Sequence, residues 1–302
     1  MAAEEAVLSA PLLEYAPAKI NLTLRVLGRR ADGFHALESL VVFARARDAL
    51  ILTDADTLRL ATRGPTAGKA GATEDNLVLK AANALSAEAE GLRRGHFTLV
   101  KRLPVAAGLG GGSADAAAAL RLLARANGLS LDDPRLASAA AATGSDVPVC
   151  LSARARVMRG RGEELSVPLQ LPRLAAVLVN CGVAVATRDV FAAWARLGSA
   201  VEPCSASAFA EQTSHRMPDR EALLEAITNS GNDLEEPAIA LCPTIADVLD
   251  TLRALPGCRL ARMSGSGATC FALFDSTEQA GAASRILKRQ HPAWWVRATE
   301  LG

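Results

Sequence analysis

Residues 14–30, EYAPAKINLTLRVLGRR, alternate strictly: Ile20, Leu22, Leu24 and Val26 face one way, and Lys19, Asn21, Thr23 and Arg25 the other. A period of two marks a half-buried strand. The Asp32-Gly33 pair that follows predicts a turn, and ESLVVFARARDALILTDAD resumes strand-like patterning, so a small mixed sheet is expected. Residues 62–76, TRGPTAGKAGATEDN, form a polar loop, after which Asp75 or Asn76 caps a helix over LVLKAANALSAEA. GHFTLVKRLPVAAGLGGGS reads as a strand running into a glycine loop, and SADAAAALRLLARANGL as a helix closed by Asn127-Gly128. A further helix, PRLASAAAATG, leads to SDVPVCL. After about residue 165 the pattern restarts with a buried strand around 174–186, a long helical stretch from 219 to 254, and a Gly-rich turn in MSGSGATCFALF. The boundary expected there separates residues 1–165 from 166–302.

Composition narrows the partners. Half of the 302 residues are apolar, enough for a sizeable core and two domains. The net charge is +1 and neither sign forms long blocks, so nothing argues for nucleic acid or an anionic membrane surface. The run LAAVLVNCGVAVA is interrupted by Asn180 and Gly182 and is too short to span a bilayer. Glu4 and Glu5 stand where a signal peptide carries Lys or Arg, so a cytoplasmic protein is expected. Cysteines at 150, 181, 204, 242, 258 and 270 are never two within four residues; they read as scattered core thiols, not as a zinc site or a disulfide framework.

The glycine loop, LPVAAGLGGGSADAAAA, carries the chemistry. Backbone amides bind an anion closely only where no side chain intervenes, and glycine supplies that together with positive φ. A helix starting directly after adds unpaired N–H groups and the positive end of its dipole. Ser113 fits as its N-cap, with a hydroxyl available to a phosphate or a metal; the alanines at 116–119 favour the helix and let it pack closely. Spacing excludes a Walker A loop, since no Lys stands between Gly112 and Ser113. A dinucleotide fingerprint begun at Gly108 places Ser113 where its third glycine belongs. Protein-kinase signatures are missing: neither HRD nor DFG occurs.

PVAAGLGGGSADAA resembles the phosphate loop of the GHMP small-molecule kinases, which include galactokinase, homoserine kinase and mevalonate kinase. Within that superfamily the chain resembles, over nearly its full length, the 4-diphosphocytidyl-2-C-methyl-D-erythritol kinases. The motifs stand in the expected order: PAKINL with RADGFH, then GLGGGSADAA, then SGSGATCF, with GSDVP and GNDLE as smaller matches. The resemblance implies an α+β, two-domain fold: an ATP-binding N-terminal domain like one of a ribosomal protein, with a βαβ crossover, and a ferredoxin-like, substrate-side C-terminal domain. It implies an active site in the cleft between those domains, with ATP and Mg²⁺ as co-substrate and cofactor. The reaction implied is phosphorylation of the 2-hydroxyl of a cytidylated methylerythritol in isoprenoid precursor synthesis.

Residue roles follow from the same resemblance. Lys19 holds and polarises the acceptor hydroxyl, and Asp146 accepts its proton; as a plain sequence Lys19 reads equally as a solvated edge-strand Lys and Asp146 as a turn carboxylate. A neighbouring Lys keeps a carboxylate ionised, and a loose phosphoryl-transfer transition state needs only a weak base. Pro104, Ala107, Gly108, Leu109, Gly110, Gly111, Gly112, Ser113 and Ala114 are assigned to ATP phosphates, with Ser113 the candidate metal ligand. Asp115 is open between a structural role and a metal ligand. Phe34 is expected to stack on cytosine and His35 to bond its edge; without the resemblance Phe34 reads as core. Asn21, Thr187, Phe191, Gly265, Ser266 and Gly267 complete the substrate set. Phe191 serves either as a second stacking face or as helix packing, and the SGSG turn either as a site or as a plain hairpin. Asn232 and Asp233 are expected to be structural caps. The acceptor is a small molecule, and a monomer or weak homodimer is expected. Two alternatives remain: a kinase for mevalonate or homoserine, which have no base to stack on Phe34, and a nucleotide- or RNA-binding module, disfavoured by Lys19, Asp146 and the lack of a basic stripe.

Overall fold

The computed structural model describes residues 10–197 and 219–302; Cys204 and the leader reading of residues 1–9 lie outside them. In chain order the first strands are β1 (Leu12–Asn21), β2 (Arg25–Arg29), β3 (His35–Thr53), β4 (Arg59–Arg63) and β5 (His96–Val100). Helix α1 (Leu77–Glu88) separates the last two, and α2 (Gly111–Ala126), α3 (Pro134–Thr143) and α4 (Val147–Ser152) follow. Then come β6 (Arg156–Gly160), β7 (Glu164–Leu165), β8 (Leu174–Asn180) and α5 (Thr187–Leu197). The remainder holds α6 (Arg220–Ser230), α7 (Glu235–Leu241), α8 (Thr244–Arg253), β9 (Leu260–Met263), β10 (Thr269–Phe274), α9 (Thr277–Gln290) and β11 (Trp295–Leu301).

The chain forms two compact units from interleaved segments. One comprises the described part of Met1–Pro17 with Arg47–Val105 and Gly111–Ser152. There β4 and β5 run parallel, Arg59 opposite His96, joined by α1 as a βαβ crossover. β5 lies antiparallel to the second half of β3, with Ala49 opposite Val100 and Leu52 opposite Phe97. The expected cap of α1 is Asn76, whose side chain accepts from the Val78 amide at 3.0 Å. Ala116 to Ala119 are fully buried, and their lack of bulk lets α2 pack closely on its neighbours.

The other unit comprises Ala18–Ala46, Ala106–Gly110 and Ala153–Gly302. Its strands β11, β8, β10 and β9 lie in that order, all antiparallel. With β8 as its first strand the order is 4-1-3-2, the ferredoxin-like arrangement. Every residue of β8 is buried, as its unbroken apolar run requires. The Asp32-Gly33 turn joins β2 to the first half of β3, with Gly33 at φ +85°.

Two sequence expectations change. The single strand over 14–30 is two, β1 and β2, because Leu24 turns to the segment after α6: its amide donates to the Gly231 carbonyl at 3.1 Å and its carbonyl accepts from Asp233 at 2.9 Å. Its polar side is not wet either, since Lys19, Asn21 and Thr23 are all buried. The long helix over 219–254 is three. Gly231 adopts φ +71°, a conformation side chains disfavour, and Pro243 cannot donate the hydrogen bond that would carry α7 onward.

Candidate active site

Three sequence motifs meet in the unit that holds β8 to β11. Ser264 joins them: its hydroxyl accepts from the Asn21 amide at 3.1 Å and donates to the Gly108 carbonyl at 3.1 Å. The Lys19 amide donates to the Leu109 carbonyl at 2.9 Å, and Thr269 to the Ala107 carbonyl at 3.2 Å. Gly108 has φ +72°, and a Cβ there would stand 2.4 Å from the Ser264 carbonyl oxygen. The close approach that demands glycine at 108 is therefore the protein's own SGSG turn. Gly110, at φ +58°, lies under the Lys19 stem, which a Cβ would meet at 3.1 Å. Gly265 and Gly267 also have positive φ.

The SGSG turn is held from behind. The Asn232 side-chain amide donates to the carbonyls of Met263 at 2.8 Å and Gly265 at 2.9 Å, while its oxygen accepts from Leu234. Asp233 accepts from the Val26 amide and pairs with Arg25 at 3.4 Å. Both are structural, as expected, but neither caps the helix: the N-cap of α7 is Leu234, with no side-chain cap bond, because Asn232 is committed to the turn and Asp233 to β2. The hydroxyls of Thr187 and Ser266 stand 2.8 Å apart, so α5 and the turn meet at these two residues. Asn21 donates to the Ser39 hydroxyl at 2.7 Å, and its own side-chain oxygen is buried without a partner. Ser39 in turn donates to the Thr23 carbonyl. A buried acceptor left open is an invitation to an external donor.

Phe34 is not core: it is 55 % exposed at the hairpin tip, with the Arg161 guanidinium 4.9 Å over its ring. His35 stacks on Phe191 at 4.8 Å and meets Trp194 edge-on at 5.5 Å, so one face of Phe191 belongs to His35. Partial burial, then the charge of Arg29, lowers the His35 pKa and favours the neutral ring, which offers one donor and one acceptor.

The other unit carries the helix and Asp146. Helix α2 begins at Gly111, so Ser113 is the third residue of its first turn and not its N-cap. The amides of Gly111, Gly112 and Ser113 have no partner within the helix. Gly112 is exposed and Ser113 half-buried, whereas Ala114 is buried and Pro104 half-buried. Asp146 is half-buried immediately before α4, and its carbonyl accepts from Cys150.

Asp115 has turned away from the helix terminus. It is 2 % exposed and receives Lys101 Nζ at 2.7 Å; the same Nζ lies 2.6 Å from Asp48. The structure thus resolves Asp115 as structural. Burial, with Asp48 adding, pushes its pKa up to about 7 against the pull of Lys101. Burial also opposes the Lys101 charge, but the two carboxylates outweigh it and hold its pKa above the usual value. Lys101 and Asp48 had no place among the candidates from sequence, nor did Ser39, Arg161 or Trp194. Among the described residues no three His, Cys, Asp or Glu side chains form a metal cage, and Ser113 is the hydroxyl at the start of α2 that a metal could use.

Comparison with known proteins places these features in context. Residues 76–154 match the model of the GHMP kinases N terminal domain, and 206–293 that of the GHMP kinases C terminal. The chain is 56 % identical over 287 residues to a 4-diphosphocytidyl-2-C-methyl-D-erythritol kinase of Xanthobacter autotrophicus, covering 95 % of this chain and 97 % of that one. A crystal structure of 4-(cytidine 5'-diphospho)-2C-methyl-D-erythritol kinase aligns with a TM-score of 0.75 at 34 % identity, covering 96 % of this chain and 99 % of that one. A homoserine kinase from Cytophaga hutchinsonii aligns with a TM-score of 0.70 over 97 % of this chain and 95 % of that one; at 21 % identity it shares the fold.

Proposed function

This chain belongs to the 4-diphosphocytidyl-2-C-methyl-D-erythritol kinase family of the GHMP kinases and is an ATP-dependent kinase; we propose that it transfers the γ-phosphoryl group of ATP to the 2-hydroxyl of 4-diphosphocytidyl-2-C-methyl-D-erythritol, giving the 2-phosphate and ADP, in the non-mevalonate route to isoprenoid precursors. The observation that carries this is the meeting, through Ser264, of the strand end holding Lys19 and Asn21, the loop at Gly108 and the SGSG turn.

Each role rests on a stated feature. The loop that opens at Pro104, through the backbone N–H groups of Ala107 to Gly110, and the start of α2 from Gly111 to Ala114 hold the ATP phosphates, supported by the unpaired amides of its first turn. Lys19 holds the acceptor hydroxyl, and Asp146 accepts its proton as the oxygen attacks phosphorus. Positioning and charge neutralisation supply most of the acceleration, because the transition state is loose. Asn21, with its open acceptor, and Ser266 with Thr187, between Gly265 and Gly267, bond the polar part of the substrate. Phe34 stacks on the cytosine, and neutral His35, backed by Phe191, reads its edge.

Ser113 is the residue that would hold Mg²⁺ if it came with ATP, and the metal would supply charge neutralisation there; Asp115, committed to Lys101, would not reach it. The division near residue 165 into an ATP-binding N-terminal part and a substrate-side C-terminal part belongs to the same proposal, supported by family models matching 76–154 and 206–293. So do a cytoplasmic location, the lack of a nucleic-acid partner and a monomer or weak homodimer; no described helix is long and apolar enough to cross a membrane.

The test is ADP release with Mg-ATP and the cytidylated substrate, beside mevalonate and homoserine, in wild type and Asp146→Asn. Turnover is expected with the cytidylated alcohol alone and is lost in the variant. Turnover with another alcohol would remove the base-stacking role of Phe34 and His35.

A further inference from the structure

Asp48, Lys101 and Asp115 are buried to 95 % or more, and no step of the proposed reaction uses them. Their placement is ordered. Asp48 precedes Leu50 and Leu52 on the inward side of β3, and Lys101 directly follows β5 in step with the buried Phe97 and Leu99; continuing the register one residue past the Ala49–Val100 pair brings Asp48 to Lys101. One oxygen of Asp48 accepts from Lys101, and the other accepts from the amides of Arg102 and Leu103 at the exit from β5. Lys101 then reaches Asp115 in the second turn of α2, and its Nζ lies 3.5 Å from where a Cβ on Gly111 would stand. The second Asp115 oxygen is buried with no partner.

The chain entering the glycine loop and the helix leaving it are therefore tied to one ammonium group. We infer that Asp115, Lys101 and Asp48 form a buried positioning element that fixes both ends of the glycine loop and thereby sets the affinity for ATP. The inference rests on the proposed assignment of ATP phosphates to the first turn of α2. Lys101 acts from beneath: it holds Asp115, one turn below Gly111, so the amides of Gly111, Gly112 and Ser113 keep a single direction. A helix free to shift by a fraction of an ångström would carry all three amides with it, and phosphate binding depends on their convergence. Because the element lies under the nucleotide end, it acts on ATP and not on the acceptor.

The experiment compares wild type with Asp115→Ala, Asp115→Asn and Asp48→Asn. It measures kcat, KM for Mg-ATP, KM for the acceptor alcohol and direct binding of a non-hydrolysable ATP analogue. Asp115→Ala is expected to weaken analogue binding and raise KM for Mg-ATP by roughly 2- to 30-fold, the range for residues that act on a ligand without touching it. Values of kcat and acceptor KM stay within about twofold of wild type. Asp115→Asn keeps an oxygen for Lys101 and restores ATP affinity, which general loosening of the fold would not predict. A folded Asp115→Ala protein with wild-type analogue affinity, or one impaired in kcat alone, overturns the inference. If that variant does not fold, Asp48→Asn leaves α2 intact and carries the same expectation and the same overturning result, because Asp48 uses both oxygens and the single oxygen of Asn can serve Lys101 or the Arg102 and Leu103 amides but not both. Failure of the wild type to bind the analogue would instead remove the ATP assignment, and the inference with it.

Discussion

The Asp48–Lys101–Asp115 cluster and the tip of the β2–β3 hairpin both consist of paired charges, but they obey different physics. In the cluster Nζ–O distances are 2.6 and 2.7 Å, and the side chains are at most 4 % exposed. At the tip Arg30 meets Asp32 at 3.2 Å and Glu163 at 3.5 Å, Arg161 meets Glu163 at 3.9 Å, and these side chains are 37–44 % exposed. Removing one partner from a buried set strands a charge in a medium that cannot solvate it; removing one at the surface hands it to water. Buried charge therefore specifies geometry, and exposed charge leaves a neighbouring side chain such as Phe34 without a fixed one.

Lys101→Met should break the contrast most severely, since it leaves two carboxylates buried and uncompensated: a loss of about 3–5 kcal/mol, measured by urea unfolding, is expected. Gly108→Ala sets a methyl against the Ser264 carbonyl at positive φ, and about 2–3 kcal/mol is expected by the same method, with loss of kinase activity. A wild-type result there would mean that the loop yields as readily as the hairpin tip. The pH dependence of stability sharpens the comparison next. An acid whose folded pKa is raised, from 3.8 to about 7 for Asp115, keeps its proton in the folded state after the unfolded chain has lost it. Its contribution is full below about 4 and declines as pH rises toward 7. Asp115→Asn should flatten that decline in thermal melts across the same window. Smallest is Arg161→Ala, expected to change stability by less than about 0.5 kcal/mol. Its effect should appear as a modest rise in KM for the cytidylated substrate, with KM for ATP unchanged.

How far the sequence reveals this depends on which rule governs each residue. Local rules held well: the Asp32-Gly33 turn, the Asn76 cap and the wholly buried β8 follow from turn chemistry, capping and apolar patterning. Where long-range packing decides, local signals mislead. Helical propensity over 219–254 says nothing of Asn232, which leaves the helical path to hold the SGSG turn. Alternation shows that Lys19, Asn21 and Thr23 share a side of the strand, yet not that Gly110 lies against Lys19 and that Ser39 and Leu40 of β3 bond Asn21 and Thr23. Ser113 falls inside α2 because the glycines at 111 and 112 already take helical geometry. Asp48 and Lys101 were legible in principle. Each continues the inward row of its strand, where an isolated charge is intolerable, so each calls for an opposite partner. Asp115 follows only once the helix is known to pack over them. The motifs Lys19–Asn21, Gly108 and SGSG are legible as motifs in the sequence, whereas their junction at Ser264 emerges only in three dimensions.

That junction also bears on when the molecule becomes competent. Ser264 contacts Asn21 and Gly108, which lie 243 and 156 residues earlier. Contacts of such sequence separation close late, because the intervening chain must first give up its freedom. During synthesis the glycine loop therefore emerges long before the turn that shapes it. A ribosome-held chain that stops short of residue 264 is expected to form helix α2 yet fail to retain an ATP analogue, so the enzyme stays silent until the segment carrying Ser264 has folded.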